Sequence, residues 1–163
     1  DDLQIAAFIM YGDTEITKHA AAKLLEKAPE FDIMLTSASK SIPLIYEMAR
    51  QINASDYIVA LKDQKVYMEA PVTADVNSIT TAHNQKLWLG KDDADKIAGK
   101  KVLIVDDVIS TGESLKALEN LAAKAGGTVV GKMAVLAEGD SYDRTDITVL
   151  AKLPLFDGEG NVK

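Results

Sequence analysis

A chain of 163 residues without cysteine is long enough for one substantial core, and it excludes disulfide scaffolds, thiolate metal sites and cysteine nucleophiles. Two histidines are too few for a histidine-rich metal site, and a net charge of −7 argues against nonspecific binding to nucleic acids or anionic membranes. Any phosphate site must therefore be built locally, from backbone amides, hydroxyls, a metal ion or a few lysines.

The apolar runs and the N-terminal residues indicate the cellular location of the protein. No run approaches the ~20 apolar residues that a transmembrane helix needs, and the first residues lack the basic-then-apolar pattern of a signal peptide. We therefore expect a cytoplasmic protein with neither a membrane nor a nucleic-acid partner. The sequence begins at Asp1 rather than at a methionine, so we expect some residues to precede it.

Strand-like and helix-like segments alternate from the start of the chain. The apolar run Leu3–Met10 predicts a buried strand, and Thr14 predicts the cap of a helix that ends before Pro29. Phe31–Thr36 predicts a second strand, and the helix after it tolerates Pro43 in its first turn. The face that this helix is expected to bury consists of Ile42, Ile45, Tyr46, Ala49 and Ile52.

The middle of the chain has a weaker pattern. Tyr57–Leu61 predicts a short strand, after which polar and turn residues dominate from Lys62 to Lys86. Such a long excursion in a short chain is typical of a flexible lid. Within it, Ser78–Ala82 and Gln85–Leu89 predict a hairpin, and a short helix over Asp92–Ile97 follows.

The last third returns to strong alternation. Val102–Val105 predicts a strand, Glu113–Ala125 a helix closed by Gly126, and Thr128–Leu136 and Ile147–Leu150 two further strands. Continuous apolar strands that alternate with helices predict an α/β fold with a mainly parallel central sheet flanked by helices. Ligands of such sheets bind at the carboxyl ends of the strands.

The segment Val102–Ser114 (VLIVDDVISTGES) combines a strand, paired carboxylates and a helix start rich in hydroxyls. Gly112 permits a turn that points successive backbone N–H groups at one place, and the helix N-terminus attracts an anion. Asp106 and Asp107 can accept hydrogen bonds from ribose hydroxyls, or hold Mg²⁺ directly or through water. This combination predicts a ribose 5-phosphate site. Its expected residues are Asp106, Asp107, Val108, Ile109, Ser110, Thr111, Gly112, Glu113 and Ser114.

Two other interpretations of this segment stay open at this point. Ser110 and Ser114 can be ordinary helix caps beside a solvated turn, or one of the aspartates can accept a phosphoryl group, as in response regulators. The second alternative does not require a Ser/Thr/Gly cluster directly after the acids. A nucleotide P-loop is excluded, because the chain contains no G-x-x-x-x-G-K-[ST] pattern.

The thirteen residues Val102–Ser114 closely resemble the phosphoribosyl pyrophosphate signature of type I phosphoribosyltransferases. A broader resemblance to the adenine phosphoribosyltransferase-like branch includes Asp32–Pro43, the basic turn Lys62–Lys65, the long excursion and the ending Lys152–Phe156. Hypoxanthine-guanine enzymes usually carry an aspartate where this chain has Ser110, which favours the adenine-like branch. The resemblance implies a single phosphoribosyltransferase-like domain over residues 1–163.

The resemblance also implies roles for residues outside the signature. The pyrophosphate-binding loop would consist of Ser37, Ala38, Ser39, Lys40 and Ser41, with further charge from Lys62 and Lys65. Lys40 stands where an arginine is often found, and it would join Asp106 and Asp107 as the catalytic residues. Phe8 and Tyr11 would help to form a base pocket, and Tyr67 and Glu69 would lie in a lid that excludes water.

The function that the resemblance implies is transfer of a phosphoribosyl group from phosphoribosyl pyrophosphate to a purine base, with release of pyrophosphate. Adenine is the expected base, Mg²⁺ the expected cofactor, and a homodimer the expected assembly, in purine salvage. One alternative is a noncatalytic regulator that binds phosphoribosyl pyrophosphate on the same fold. Another is an α/β protein that binds a different phosphorylated sugar.

Overall fold

Five parallel strands form a central sheet, and helices cover both faces of this sheet. The computed structural model describes residues 4–76 and 85–163. The strands in this part of the chain are β1 (Gln4–Ile5), β2 (Ile33–Ser37), β3 (Ile58–Ala60), β4 (Val72–Val76), β5 (Gln85–Leu89), β6 (Lys101–Ile109), β7 (Thr128–Glu138), β8 (Thr148–Leu153) and β9 (Leu155–Phe156). The helices are α1 (Thr14–Leu25), α2 (Ile42–Gln51), α3 (Lys91–Ile97) and α4 (Glu113–Lys124), and a 3₁₀ helix spans Gly139–Asp143.

The central sheet has the strand order β3-β2-β6-β7-β8, and each neighbouring pair is parallel. Alternate residues of β6 enter two separate cores, because successive side chains of a strand point to opposite faces. Val102 and Ile104 pack with α4 on one face, and Leu103 and Val105 pack with α1 and α2 on the other. The predicted α/β fold with a parallel central sheet is confirmed.

The N-terminal segment differs from its prediction. Only Gln4–Ile5 of the run 3–10 is a described strand, and it pairs antiparallel with β9 outside the central sheet. Ile5 and Ile9 are 69% and 59% exposed, whereas Met10 is buried. Helices α1 and α2 already cover the nearby face of the sheet, so most of the apolar run does not pack there. The helix cap is also one residue earlier than expected, since the Asp13 side chain accepts a hydrogen bond from Ile16 N.

Helix α2 buries Ile45 and Ala49 as expected, but the rest of its buried stripe differs from the prediction. Leu44 and Met48 are fully buried, while Tyr46 and Ile52 are exposed. Leu44 and Met48 are four residues apart and so lie one above the other on the same face. The predicted stripe included Tyr46 and Ile52, and it omitted this pair.

Strand β5 belongs to a hairpin in the long excursion, and its described partner is β4. Strand β4 pairs antiparallel with β5, from Val72 opposite Leu89 to Val76 opposite Gln85. The predicted first strand, Ser78–Ala82, lies outside the described residues. No helix in residues 4–76 and 85–163 is both long and apolar enough to cross a bilayer.

Candidate functional site

The loop after β6 presents open backbone donors at the carboxyl edge of the sheet. Gly112 adopts a left-handed conformation with φ of +84° and forms the N-cap of α4. Within the described residues, the N–H groups of Thr111, Gly112 and Ser114 have no protein acceptor. Glu113 N has only a 3.5 Å contact with Thr111 Oγ1. A cavity of about 100 Å³ lies against these residues, so the amides remain available to an anion.

Strand β6 extends past the predicted end at Val105, so both aspartates lie within the strand rather than after it. Asp106 and Asp107 are only 7% and 6% exposed. Ser41 Oγ donates to Asp106 Oδ1 at 2.6 Å and accepts from Asp107 N at 3.1 Å. Among the described residues, Asp107 Oδ2 has no hydrogen-bond partner although it is buried. One carboxylate oxygen is therefore left for a group that the described residues do not supply.

Burial favours the protonated form of the Asp106 side chain. Removal from water raises the pKa of Asp106 well above its usual range, and the nearby Asp107 carboxylate raises it further. The hydrogen bond from Ser41 opposes this increase. A cationic ligand or a hydroxyl donor beside Asp106 would stabilise the charged form of this carboxylate, which is the form that holds ribose or metal.

The residues present fit Mg²⁺ bound together with a substrate. The described chain contains no cluster of three or more histidine, aspartate or glutamate side chains that could hold a metal alone. Mg²⁺ is commonly held by one or two carboxylates plus water and substrate phosphate oxygens. Asp106 and Asp107 supply that number of carboxylates, and the orphaned Oδ2 of Asp107 provides a ligand atom.

A second cavity of about 200 Å³ joins the loop after β2 to the two aspartates. The five residues of the expected pyrophosphate loop all line it, together with Lys62, Asp106, Asp107 and Ser114. Lys65 does not line this cavity. Lys86 at the start of β5 does line it, although the sequence did not single it out. The structure therefore brings Lys40, Lys62 and Lys86 to the same cavity.

The aromatic residues expected near the base lie in different places. The Tyr11 hydroxyl is 2.7 Å from Ser39 Oγ, which connects the N-terminal segment to the loop after β2. Phe8 is half-buried and packs against the core formed with α1 and α2. Tyr67 and Glu69 line a separate cavity of about 720 Å³ beside β3 and α3.

Contacts from the end of β7 also fix the loop after β6, and the sequence did not indicate them. Ser110 Oγ donates to Glu138 Oε2, and Ser141 Oγ donates to the Ser110 carbonyl oxygen. Arg144 forms a two-point pair with Asp146, at 2.9 and 2.8 Å. A β-carbon added to Gly112 would lie 2.5 Å from Arg144 Nη1, so the guanidinium packs against this glycine. No motif in the sequence links these residues, and the parallel pairing of β6 with β7 brings them together.

The sequence is similar to a protein family and to named enzymes. A family model described as the phosphoribosyl transferase domain matches residues 13–154. The adenine phosphoribosyltransferase of Thermosipho africanus is 33% identical over 138 residues, which are 83% of this chain and 76% of that protein. The orotate phosphoribosyltransferase of Coccidioides immitis is 30% identical over 113 residues, which are 66% of this chain but only 41% of that protein.

The fold is similar to solved structures as well. The crystal structure of adenine phosphoribosyltransferase from Thermoanaerobacter pseudethanolicus matches with a TM-score of 0.72 at 20% identity. The match covers 86% of this chain and 82% of that one. At this identity, the similarity shows the shared fold and leaves the base to be argued from the site.

Proposed function

Because the chain belongs to the type I phosphoribosyltransferase family, in its adenine phosphoribosyltransferase-like branch, we propose that it transfers phosphoribosyl from phosphoribosyl pyrophosphate to adenine. The named relatives are transferases, and they include both adenine and orotate enzymes. The observation that carries the proposal is the group of open N–H donors at the start of α4, directly beside two buried carboxylates.

The loop after β6 is suited to the 5-phosphate and the ribose. The N–H groups of Thr111, Gly112 and Ser114, which have no acceptor in the described part of the chain, can donate to phosphate oxygens. The N-terminus of α4 adds positive potential. Asp106 and Asp107 can accept from ribose hydroxyls at the same edge. Binding of these remote groups holds the anomeric carbon in place, so that binding energy reduces the entropic cost of the reaction.

The second cavity is suited to the leaving group. When the bond from the anomeric carbon to pyrophosphate breaks, negative charge collects on the departing oxygens and positive charge on the ribose ring. Lys40, Lys62 and Lys86 can stabilise the first charge, and the aspartates can stabilise the second. When bound through Asp106 and Asp107, Mg²⁺ would supply further charge neutralisation for pyrophosphate.

Incubation with phosphoribosyl pyrophosphate, Mg²⁺ and each purine in turn tests the proposal, with pyrophosphate release as the measurement. Release with adenine, and little with hypoxanthine or guanine, is the expected result. Turnover only with another base would support the proposed reaction but would contradict adenine as its substrate. Tight binding of phosphoribosyl pyrophosphate without turnover on any base would favour the noncatalytic regulator, and failure to bind it would contradict both.

The organisation beyond the site stays a prediction. A single domain over residues 1–163, a cytoplasmic location and a homodimer were expected from the sequence or its resemblance. Light scattering during size-exclusion chromatography would measure the assembly directly. A mass equal to one chain would contradict the homodimer without affecting the proposed chemistry.

A further inference from the structure

The loop after β6 has a carboxylate beside it that the signature segment does not contain. Glu138 is the last residue of β7, and Ser110 is the first residue after β6. The two strands are parallel neighbours, with Ile109 opposite Ala137. The next residue of each chain segment, Ser110 and Glu138, therefore lies beside the other at the same edge of the sheet. Ser110 Oγ donates to Glu138 Oε2, which fixes the carboxylate against the loop.

This carboxylate lies on the side of β6 opposite to the expected pyrophosphate site. In the sheet order β3-β2-β6-β7-β8, the loop after β2 is on one side of β6 and Glu138 is on the other. A nitrogen that displaces pyrophosphate in line must approach the anomeric carbon from the face opposite to the leaving oxygen. If the proposed function holds, the incoming base therefore reaches the ribose from the β7 side.

The incoming base must lose a proton. As its ring nitrogen forms a bond to the anomeric carbon, the bond to pyrophosphate breaks and its electron pair leaves with pyrophosphate. The nitrogen of the product cannot keep its N–H proton, so an acceptor near that nitrogen lowers the barrier. Glu138 is half-buried, and Ser110 occupies one hydrogen-bonding position on its Oε2. A carboxylate accepts at both oxygens, so Glu138 retains capacity for a second donor.

We propose that Glu138 is a catalytic residue that accepts the proton of the attacking purine nitrogen, held in position by Ser110. The proposal rests on the proposed function and adds a residue to it. Ser141 strengthens the arrangement, because its hydroxyl holds the Ser110 carbonyl and so restrains the peptide that carries the Ser110 side chain.

Glu138→Gln tests the role with little change in shape, because the amide oxygen can still accept from Ser110. The expected result is a fall in kcat of about 100-fold, while the affinity for phosphoribosyl pyrophosphate, measured by calorimetry, stays within about twofold. Glu138→Asp keeps a proton acceptor and should retain kcat within about tenfold. Asp140→Asn is the matched control, because it removes an exposed carboxylate from the adjoining 3₁₀ helix. It should leave both quantities unchanged.

A rescue experiment distinguishes a proton acceptor from a structural contact. Because the side chains of residues 110 and 138 touch, Ser110→Asp in the Glu138→Gln background returns a carboxylate to the same place. We expect it to recover kcat at least about tenfold. Full kcat in Glu138→Gln, or equal loss of kcat and of phosphoribosyl pyrophosphate affinity, overturns this inference alone. A wild-type protein that binds phosphoribosyl pyrophosphate but turns over no base overturns the proposed function as well.

Discussion

The loops after β6 and β2 meet at one edge of the sheet, but they present different kinds of groups. The loop after β6 offers backbone N–H groups, which Gly112 and the start of α4 arrange within a few residues. The loop after β2 offers side chains, and its cavity needs Lys62, Lys86 and the two aspartates from other segments. A site made from backbone is thus specified locally, whereas a site made from side chains depends on how distant segments pack.

The largest effect is expected at the carboxylate with an unpartnered oxygen. Asp107→Asn keeps the size of the side chain but removes the charge that holds ribose or metal, and charge-assisted hydrogen bonds contribute about 2–3 kcal/mol each. We expect a loss of about 100-fold in affinity for phosphoribosyl pyrophosphate, measured by calorimetry with Mg²⁺ present.

Thr111→Val is the corresponding change among the donors of the loop after β6. Its hydroxyl makes only a 3.5 Å contact within the described structure, so its removal should cost ligand affinity rather than stability. Circular dichroism should show both variants folded. If calorimetry shows unchanged binding in both, the phosphate and ribose do not bind at this loop.

A smaller effect is expected at the hydroxyl that connects the two loops. Ser41 is buried, and it bridges the Asp106 side chain and the Asp107 backbone. Ser41→Ala leaves these groups with fewer partners, at a cost of about 1–2 kcal/mol in the free energy of unfolding. We also expect about tenfold weaker binding of phosphoribosyl pyrophosphate, because the carboxylates lose their fixed orientation. Denaturant unfolding and calorimetry measure the two quantities.

Ser55→Ala is the control for this variant, since Ser55 is exposed and lines neither loop cavity. It should match the wild type in both measurements. Loss of affinity in Ser41→Ala without any loss of stability would show that the bridge positions the ligand and does not hold the loops together.

Substitutions at two lysines measure how much the cavity beside the loop after β2 contributes to pyrophosphate binding. Lys86 lines the cavity with Lys40 and Lys62, and Lys65 does not. An exposed ion pair contributes at most about 1 kcal/mol, so Lys86→Ala should weaken inhibition by pyrophosphate about fivefold. Lys65→Ala should change it less than about twofold. Equal effects of the two substitutions would mean that the pyrophosphate is not confined to this cavity.

The parts of the molecule that follow from local pattern were predictable. The strands of the central sheet, the positions of α3 and α4 and the turn at Gly112 each depend mainly on residues within one short segment. The extension of β6 through Asp106 and Asp107 was not expected, because carboxylates usually end a buried strand. Here Ser41, from another element, satisfies part of their hydrogen bonding and permits their burial.

The contacts that complete the site were not predictable for the same reason. Glu138 and Ser110 are 28 positions apart in the chain, and Tyr11 and Ser39 are also 28 apart. No periodicity or spacing joins such pairs, so they become visible only when strand order and register are known. Lys86 was missed because its cavity forms where the hairpin of β4 and β5 meets the loop after β2.

The smallest effect on ligand binding is expected from a charge that stabilises α2 away from both loops. The Glu47 carboxylate is buried in the last turns of α2, where Arg50 donates to it twice at 2.8 Å and Gln51 once at 2.9 Å. The hydrogen bonds from Arg50, and next that from Gln51, lower the pKa of Glu47 from 4.5 to about 2. The folded state therefore favours the carboxylate, and this stabilisation is present above pH 4.5 and lost as the pH falls toward 2.

Glu47→Gln should lower the free energy of unfolding at neutral pH by about 1–2 kcal/mol, a value reduced because solvent screens the half-exposed Arg50. Urea unfolding at a series of pH values should show this difference shrinking below pH 4.5, where the wild-type carboxylate begins to lose its advantage. Affinity for phosphoribosyl pyrophosphate should not change, because Glu47 touches neither loop cavity. A change in affinity would mean that the loop after β2 depends on the stability of the whole of α2. The two loops would then differ even more in their dependence on distant residues than their contacts indicate.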